Sequence, residues 1–116
     1  MQARFVFGTI GSRERSLAET VTSRKAVSVR LTDEHWTHIA EEHAELSGMR
    51  SEVLRTVENP ARIYAGKAGE LLAAKEIEPG KWLVVVYREL RDDGFVITAF
   101  LTRRIATLER RKQPWP

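Results

Sequence analysis

Lys81-Trp82-Leu83-Val84-Val85-Val86-Tyr87-Arg88-Glu89-Leu90, then Arg91-Asp92-Asp93-Gly94, then Phe95-Val96-Ile97-Thr98-Ala99-Phe100-Leu101-Thr102 carries the reading of the fold. Two apolar runs rich in β-branched and aromatic residues are too short for a buried helix pair, and a turn-forming Asp-Asp-Gly cluster divides them. That pattern predicts a hairpin. Pro79-Gly80 gives a second hairpin signal upstream and Gly66 a third connection, so the spacing predicts strands over 62–65, 69–77, 81–90 and 95–105. Consecutive hairpins make an antiparallel meander, and a meander needs something to cover its apolar face.

The cover is encoded just upstream. Val27-Ser28-Val29-Arg30-Leu31 alternates as a half-buried strand does, and Thr32 follows as an N-cap with Asp33 and Glu34 in the first turn, where the helix dipole favours negative charge. The stripe Trp36, Ile39, Ala40, His43, Leu46 predicts a helix from 33 to about 46, with Ser47-Gly48 ending it. A second helix over about 50–58 carries Val53, Leu54 and Val57, and Asn59-Pro60 stops it, because a residue before proline is pushed out of the α region. The expected fold class is therefore α+β: two helices packed on a four-stranded antiparallel β-meander, preceded by an N-terminal strand or arm. Residues 1–25 read as an arm with a candidate strand at 4–10, residues 26–108 as one domain, and residues 109–116 as a basic tail.

The bulk properties agree with one core. The chain has 116 residues, of which 42% are hydrophobic and 30% charged, a globular composition. No cysteine is present, which excludes disulfides and thiolate metal sites and suits a reducing compartment. The apolar run near the N-terminus is too short for a secretory signal, and no apolar stretch approaches the roughly 18 residues of a membrane span. A cytoplasmic protein with no membrane partner is expected. Net charge is +3, but residues 1–30 hold six Lys or Arg against two Glu, and residues 103–116 five against one. Basic ends can hold a phosphate backbone; ordinary solubilising charge is the other reading.

All three histidines fall in the first helix. His35, His38 and Glu42 share a face and have the spacing of transition-metal ligands, yet His-Glu-x-x-His is absent, so no metal and no cofactor is expected. His43 interrupts the apolar stripe and is predicted to point at the sheet, either as a core residue or as an acid/base group at a cleft edge. In the last strand, simple alternation puts Val96, Thr98, Phe100 and Thr102 on one face and Phe95, Ile97, Ala99 and Leu101 on the other. A two- or four-residue turn would put Tyr87 on the face of Thr98, and a three-residue turn would put Arg88 there. Arg62 and Lys75 add cations. These residue types suit RNA cleavage without metal, in which the ribose 2′-hydroxyl attacks its own phosphate and the protein supplies a base, an acid and donors for the developing charge. The candidate catalytic residues are His43, Thr98, Tyr87 and His38, and the candidate substrate-binding residues are Arg62, Lys75, Arg88 and Thr102.

Three stretches, His35-Trp36-Thr37-His38-Ile39 with His43-Ala44-Glu45, Glu58-Asn59-Pro60-Ala61-Arg62-Ile63, and Val96-Ile97-Thr98-Ala99-Phe100-Leu101-Thr102, occur in an order that resembles the phage-associated branch of the barnase/EndoU/colicin/RelE-like nuclease superfamily. The resemblance covers about residues 27–105. It implies a metal-independent RNase or toxin, with His43 matching the family's helical histidine and Thr98 the hydroxyl of its last strand. Ala44 stands where the family pattern leads one to expect proline, which should alter only the last turn of the helix. The partners implied are RNA and an antitoxin or immunity protein, with a homodimer as a further expectation. The competing function classes are a non-catalytic RNA- or protein-binding domain using Arg110, Arg111 and Lys112, and a structural subunit pairing through a sheet edge or Trp115.

Overall fold

The computed structural model describes residues 18–109, so the candidate strand at 4–10 and the basic residues Arg110 to Lys112 lie outside the described residues. The elements run β1 (Ala18–Thr22), β2 (Ser28–Thr32), α1 (Asp33–Glu42), a 3-10 turn (Ala44–Leu46), α2 (Arg50–Glu58), β3 (Arg62–Ala65), β4 (Leu71–Glu78), β5 (Lys81–Glu89), β6 (Asp93–Thr102) and a closing 3-10 turn (Ile105–Thr107). They form one six-stranded sheet in the order β1-β2-β6-β5-β4-β3.

The α+β class and the two helices are as expected; the four-stranded antiparallel meander is not the whole sheet. Strands β3 to β6 do form a meander, but β2 pairs with β6 in parallel, Ser28 opposite Asp93, Val29 opposite Gly94 and Arg30 opposite Phe95, and β1 extends the sheet antiparallel to β2. The physical reason lies in β2. Val29 and Leu31 are fully buried, and docking beside β6 both buries them and covers what would otherwise be a bare sheet edge. The direction follows from the crossover: β2 leads into α1 and α2, which cross one face before β3 enters at the far edge. Strand β1 sits in the stretch the sequence reading left as an arm. Only Val21 of its five residues is even half-buried, so the outermost strand carries almost no apolar alternation to read.

Thr32 caps α1 as expected, its Oγ1 accepting from the His35 amide at 3.1 Å. The helix stops at Glu42 instead of running to 46. His43 leaves the α region at φ −131°, and the chain tightens into i to i+3 bonds, Leu46 N donating to His43 O at 2.9 Å and Met49 N to Leu46 O at 2.8 Å. That turn drives Leu46 fully into the core, which a continued helix would aim differently. Gly48, at φ +81°, makes the reversal into α2.

The main core lies between helices and sheet: Ile39, Leu46, Val53 and Val57 pack on Val29, Leu31, Ala73, Leu83, Val85, Tyr87, Val96 and Ala99. Arg50 ties the layers at their rim, its guanidinium 2.7 Å from both Glu19 and Asp33 and donating to the Leu31 carbonyl at 3.2 Å. A second, smaller cluster on the opposite face joins Tyr64, Leu72, Ala74 and Val84 to Leu108 of the C-terminal turn, with Trp82, Phe100 and Ile105 at its margin. Among the described residues no helix is long and apolar enough to cross a membrane.

Candidate functional site

The geometry of the site begins with a bulge in β6. Tyr87 pairs with Val96 but Val86 pairs with Thr98, so Ile97 has no opposite number. One extra residue inverts the alternation on either side of it. Val96 therefore points to the helix face with Ala99 and Leu101, while Thr98 points to the opposite face with Val86 and Phe100. The sequence reading had put Val96 and Thr98 on one face, because simple alternation holds only while the register does.

The carbonyl of the bulged Ile97 is taken up by a helix. His35, in the first turn of α1, places Nε2 2.7 Å from Ile97 O. A carbonyl oxygen only accepts, so Nε2 carries the hydrogen, and in the neutral ring Nδ1 is the basic nitrogen. Beside this bond, where β2 parts from β6, Arg30, Thr32, His35, Phe95 and Val96 line a cleft of about 220 Å3. Arg30 stands at its rim, half-exposed, 3.4 Å from Asp93. Phe95 is 37% exposed, one of two large apolar side chains at the described surface. The His38 ring is 6.3 Å from that of His35, and its Nε2 lies 3.4 Å from Glu42. A cation, an aromatic face and a histidine with one nitrogen committed to the backbone thus meet at one opening.

The residues expected from sequence are distributed more widely. His43 is the C-cap of α1, on the helix side, with Nδ1 3.7 Å from Glu45. Thr98 is across the sheet from it, and its Oγ1 is buried without a hydrogen-bond partner among the described residues. The structure does not bring these two together. Tyr87 falls on the helix face, 1% exposed, and burial pushes its phenol well above the ordinary range. Arg88, opposite Phe95, shares the face of Thr98, but its guanidinium donates to the Ala68 carbonyl at 2.9 Å and holds the β3–β4 loop. Lys75 lines a separate cleft with Glu52, Arg55 and Glu76. The Thr102 hydroxyl accepts from the Arg104 amide at 2.9 Å.

Arg62 belongs to a second polar constellation, at the far edge of the sheet. Its guanidinium lies 5.5 Å above the centre of the Trp82 ring, donates to the Tyr64 hydroxyl at 3.4 Å and pairs with Glu109. The Tyr64 hydroxyl in turn donates to Glu109 Oε2 at 2.5 Å. These two donors hold the Glu109 carboxyl below the usual carboxylate range, the Tyr64 bond contributing most, while burial raises the Tyr64 phenol. No group of three or more His, Asp or Glu among the described residues is arranged to hold a metal ion.

Sequence reasoning named His35 as a metal-ligand candidate and, after His43, as a fallback for the chemistry, and did not single out Arg30 or Phe95. A signal was present: His35 is three residues past the N-cap, and a side chain in the first turn of a helix lies beside the strand that feeds it. The parallel partner that completes the cleft was not visible. Comparison of the chain with protein-family models, with curated proteins and with solved structures gives no match.

Proposed function

We propose that the chain is a metal-independent endoribonuclease whose site is the cleft between β2, β6 and the start of α1. The observation that carries the proposal is the bond from His35 Nε2 to the Ile97 carbonyl beside Arg30 and Phe95. It orients the ring and leaves Nδ1 as the nitrogen able to accept a proton from substrate. In this reading Phe95 stacks on a base, Arg30 neutralises the scissile phosphate and its developing phosphorane charge, and His35 Nδ1 takes the 2′-hydroxyl proton. The 2′-oxygen forms its bond to phosphorus as the bond to the 5′-oxygen breaks. His38, oriented by Glu42, supplies the proton to that leaving oxygen. The products are a 2′,3′-cyclic phosphate and a free 5′-hydroxyl.

The test is incubation of the purified chain with single-stranded RNA and with DNA of the same sequence, in the presence of a chelator. The reading expects RNA cut to cyclic-phosphate ends and DNA left whole, because DNA lacks the attacking hydroxyl. Intact RNA at high protein concentration overturns it. A toxin role, with an antitoxin or immunity protein as partner, belongs to the same reading and expects growth arrest on expression that disappears with the activity.

A second reading, a non-catalytic RNA- or protein-binding domain, is favoured by one observation. His43 and Thr98, the pair the family resemblance singled out for chemistry, lie on opposite sides of the sheet. This reading expects salt-dependent RNA binding with no product.

A further inference from the structure

We infer that Arg62, Tyr64 and Trp82 form a phosphate-binding site on the sheet face away from the helices, and that the chain's own Glu109 carboxylate occupies it in the free protein. The site is built before any ligand arrives. Tyr64 is fully buried, yet its hydroxyl reaches one oxygen of Glu109, and Arg62 reaches the same oxygen from the side. Two donors converging on one anionic oxygen form a receptor for any oxyanion, and a guanidinium is suited to carboxylate and phosphate alike. The Trp82 ring lies against the guanidinium, 5.5 Å away, and limits its orientations. Burial keeps the Tyr64 hydroxyl protonated, so it remains a donor throughout the physiological range.

The present occupant is suited to leaving. Glu109 follows the short turn Ile105–Thr107, which is fastened to the sheet by Leu108 and Ile105, while the Glu109 side chain itself is 42% exposed. An anion from solvent can therefore displace the carboxylate without unpacking the turn. A phosphate brings more oxygens and more charge to the same two donors. The site stands apart from the His35 cleft: β3 and β2 are four strand spacings apart in the sheet, roughly 19 Å at ordinary strand separation, so the inference does not depend on the ribonuclease reading. The shared ligand chemistry is a phosphate oxygen, which either a small phosphorylated molecule or a nucleic-acid backbone can supply.

The experiment is calorimetric titration of the full chain with inorganic phosphate and with a short single-stranded RNA, for the wild type, Glu109→Ala, and Glu109→Ala combined with Arg62→Ala. Removing the resident carboxylate is expected to tighten phosphate binding by about tenfold or more, and removing Arg62 as well is expected to abolish the gain. Glu109→Gln, which keeps the volume and loses the charge, is expected to show a gain of the same sign and covers the case in which the alanine variant melts early. A gain seen with RNA as well as phosphate supports the site and assigns it to a strand; a gain with phosphate alone supports it and assigns it to a small ligand. Unchanged affinity in both Glu109 variants, or a gain that survives the loss of Arg62, overturns the inference.

Discussion

His35 Nε2 lies 2.7 Å from the carbonyl oxygen of Ile97, the one residue of β6 that the bulge leaves unopposed. A helix side chain thereby satisfies a backbone group released by a sheet irregularity. Both partners are fixed by the elements they belong to, the histidine by the Thr32 cap and the carbonyl by the register shift. Functional groups gain precision when rigid elements hold them in this way.

Phe95 is predicted to matter for binding and little for folding. With 37% of its surface exposed, truncation to alanine removes few core contacts, and Phe95→Ala is expected to keep the melting temperature within a few degrees of wild type. RNA affinity is expected to fall by about 1 to 3 kcal/mol, the usual worth of one base stacked on an aromatic ring. Fluorescence anisotropy with a labelled oligonucleotide measures it.

Thr98 offers a test with the opposite sign. Its buried hydroxyl has no partner among the described residues, and valine has nearly the same shape without the polar atom. Thr98→Val is therefore expected to stabilise the fold by about 1 kcal/mol in urea unfolding, because an unpaired buried hydroxyl is costly. The same variant is expected to retain RNA cleavage, since Thr98 is not among the residues that line the His35 cleft.

The contrast between Thr98 and His35 shows what the sequence could and could not convey. Hairpin signals at Pro79-Gly80 and Asp92-Asp93-Gly94, the Thr32 cap and the stop at Asn59-Pro60 are local chemistry, and they gave strands β3 to β6 and both helices to within a few residues. The bulge at Ile97 leaves no comparable local mark, since Val96-Ile97-Thr98 reads as ordinary strand, yet it decides which face Thr98 occupies. The parallel pairing of β2 with β6 joins residues more than sixty positions apart, and no periodicity within either strand announces its partner. The cleft depends on both features. The histidine cluster was legible; which histidine met the sheet was not.

The Arg62–Tyr64–Glu109 contact carries a pH dependence. Because the folded state holds the Glu109 carboxyl below its ordinary value, its stabilising contribution is fully present above the usual carboxylate range and is lost as pH falls through the lowered value. Glu109→Gln is accordingly expected to melt below wild type at neutral pH and to match it in acid. Thermal melts of both proteins from pH 7 down to pH 3 measure the convergence, and a constant gap across that range would separate the contact from Glu109 ionisation.

The proposed mechanism makes His35 the base that takes the 2′-hydroxyl proton, and single-turnover cleavage by His35→Gln measured beside His43→Gln reads that role. A glutamine amide at position 35 can still donate to the Ile97 carbonyl but cannot exchange a proton near neutral pH, so the fold is expected to persist, as judged by the melting temperature, while cleavage falls by about two to four orders of magnitude. His43→Gln is expected to cut RNA at close to the wild-type rate. Wild-type cleavage by His35→Gln, or loss of cleavage in His43→Gln alone with the fold intact, would remove His35 from the mechanism.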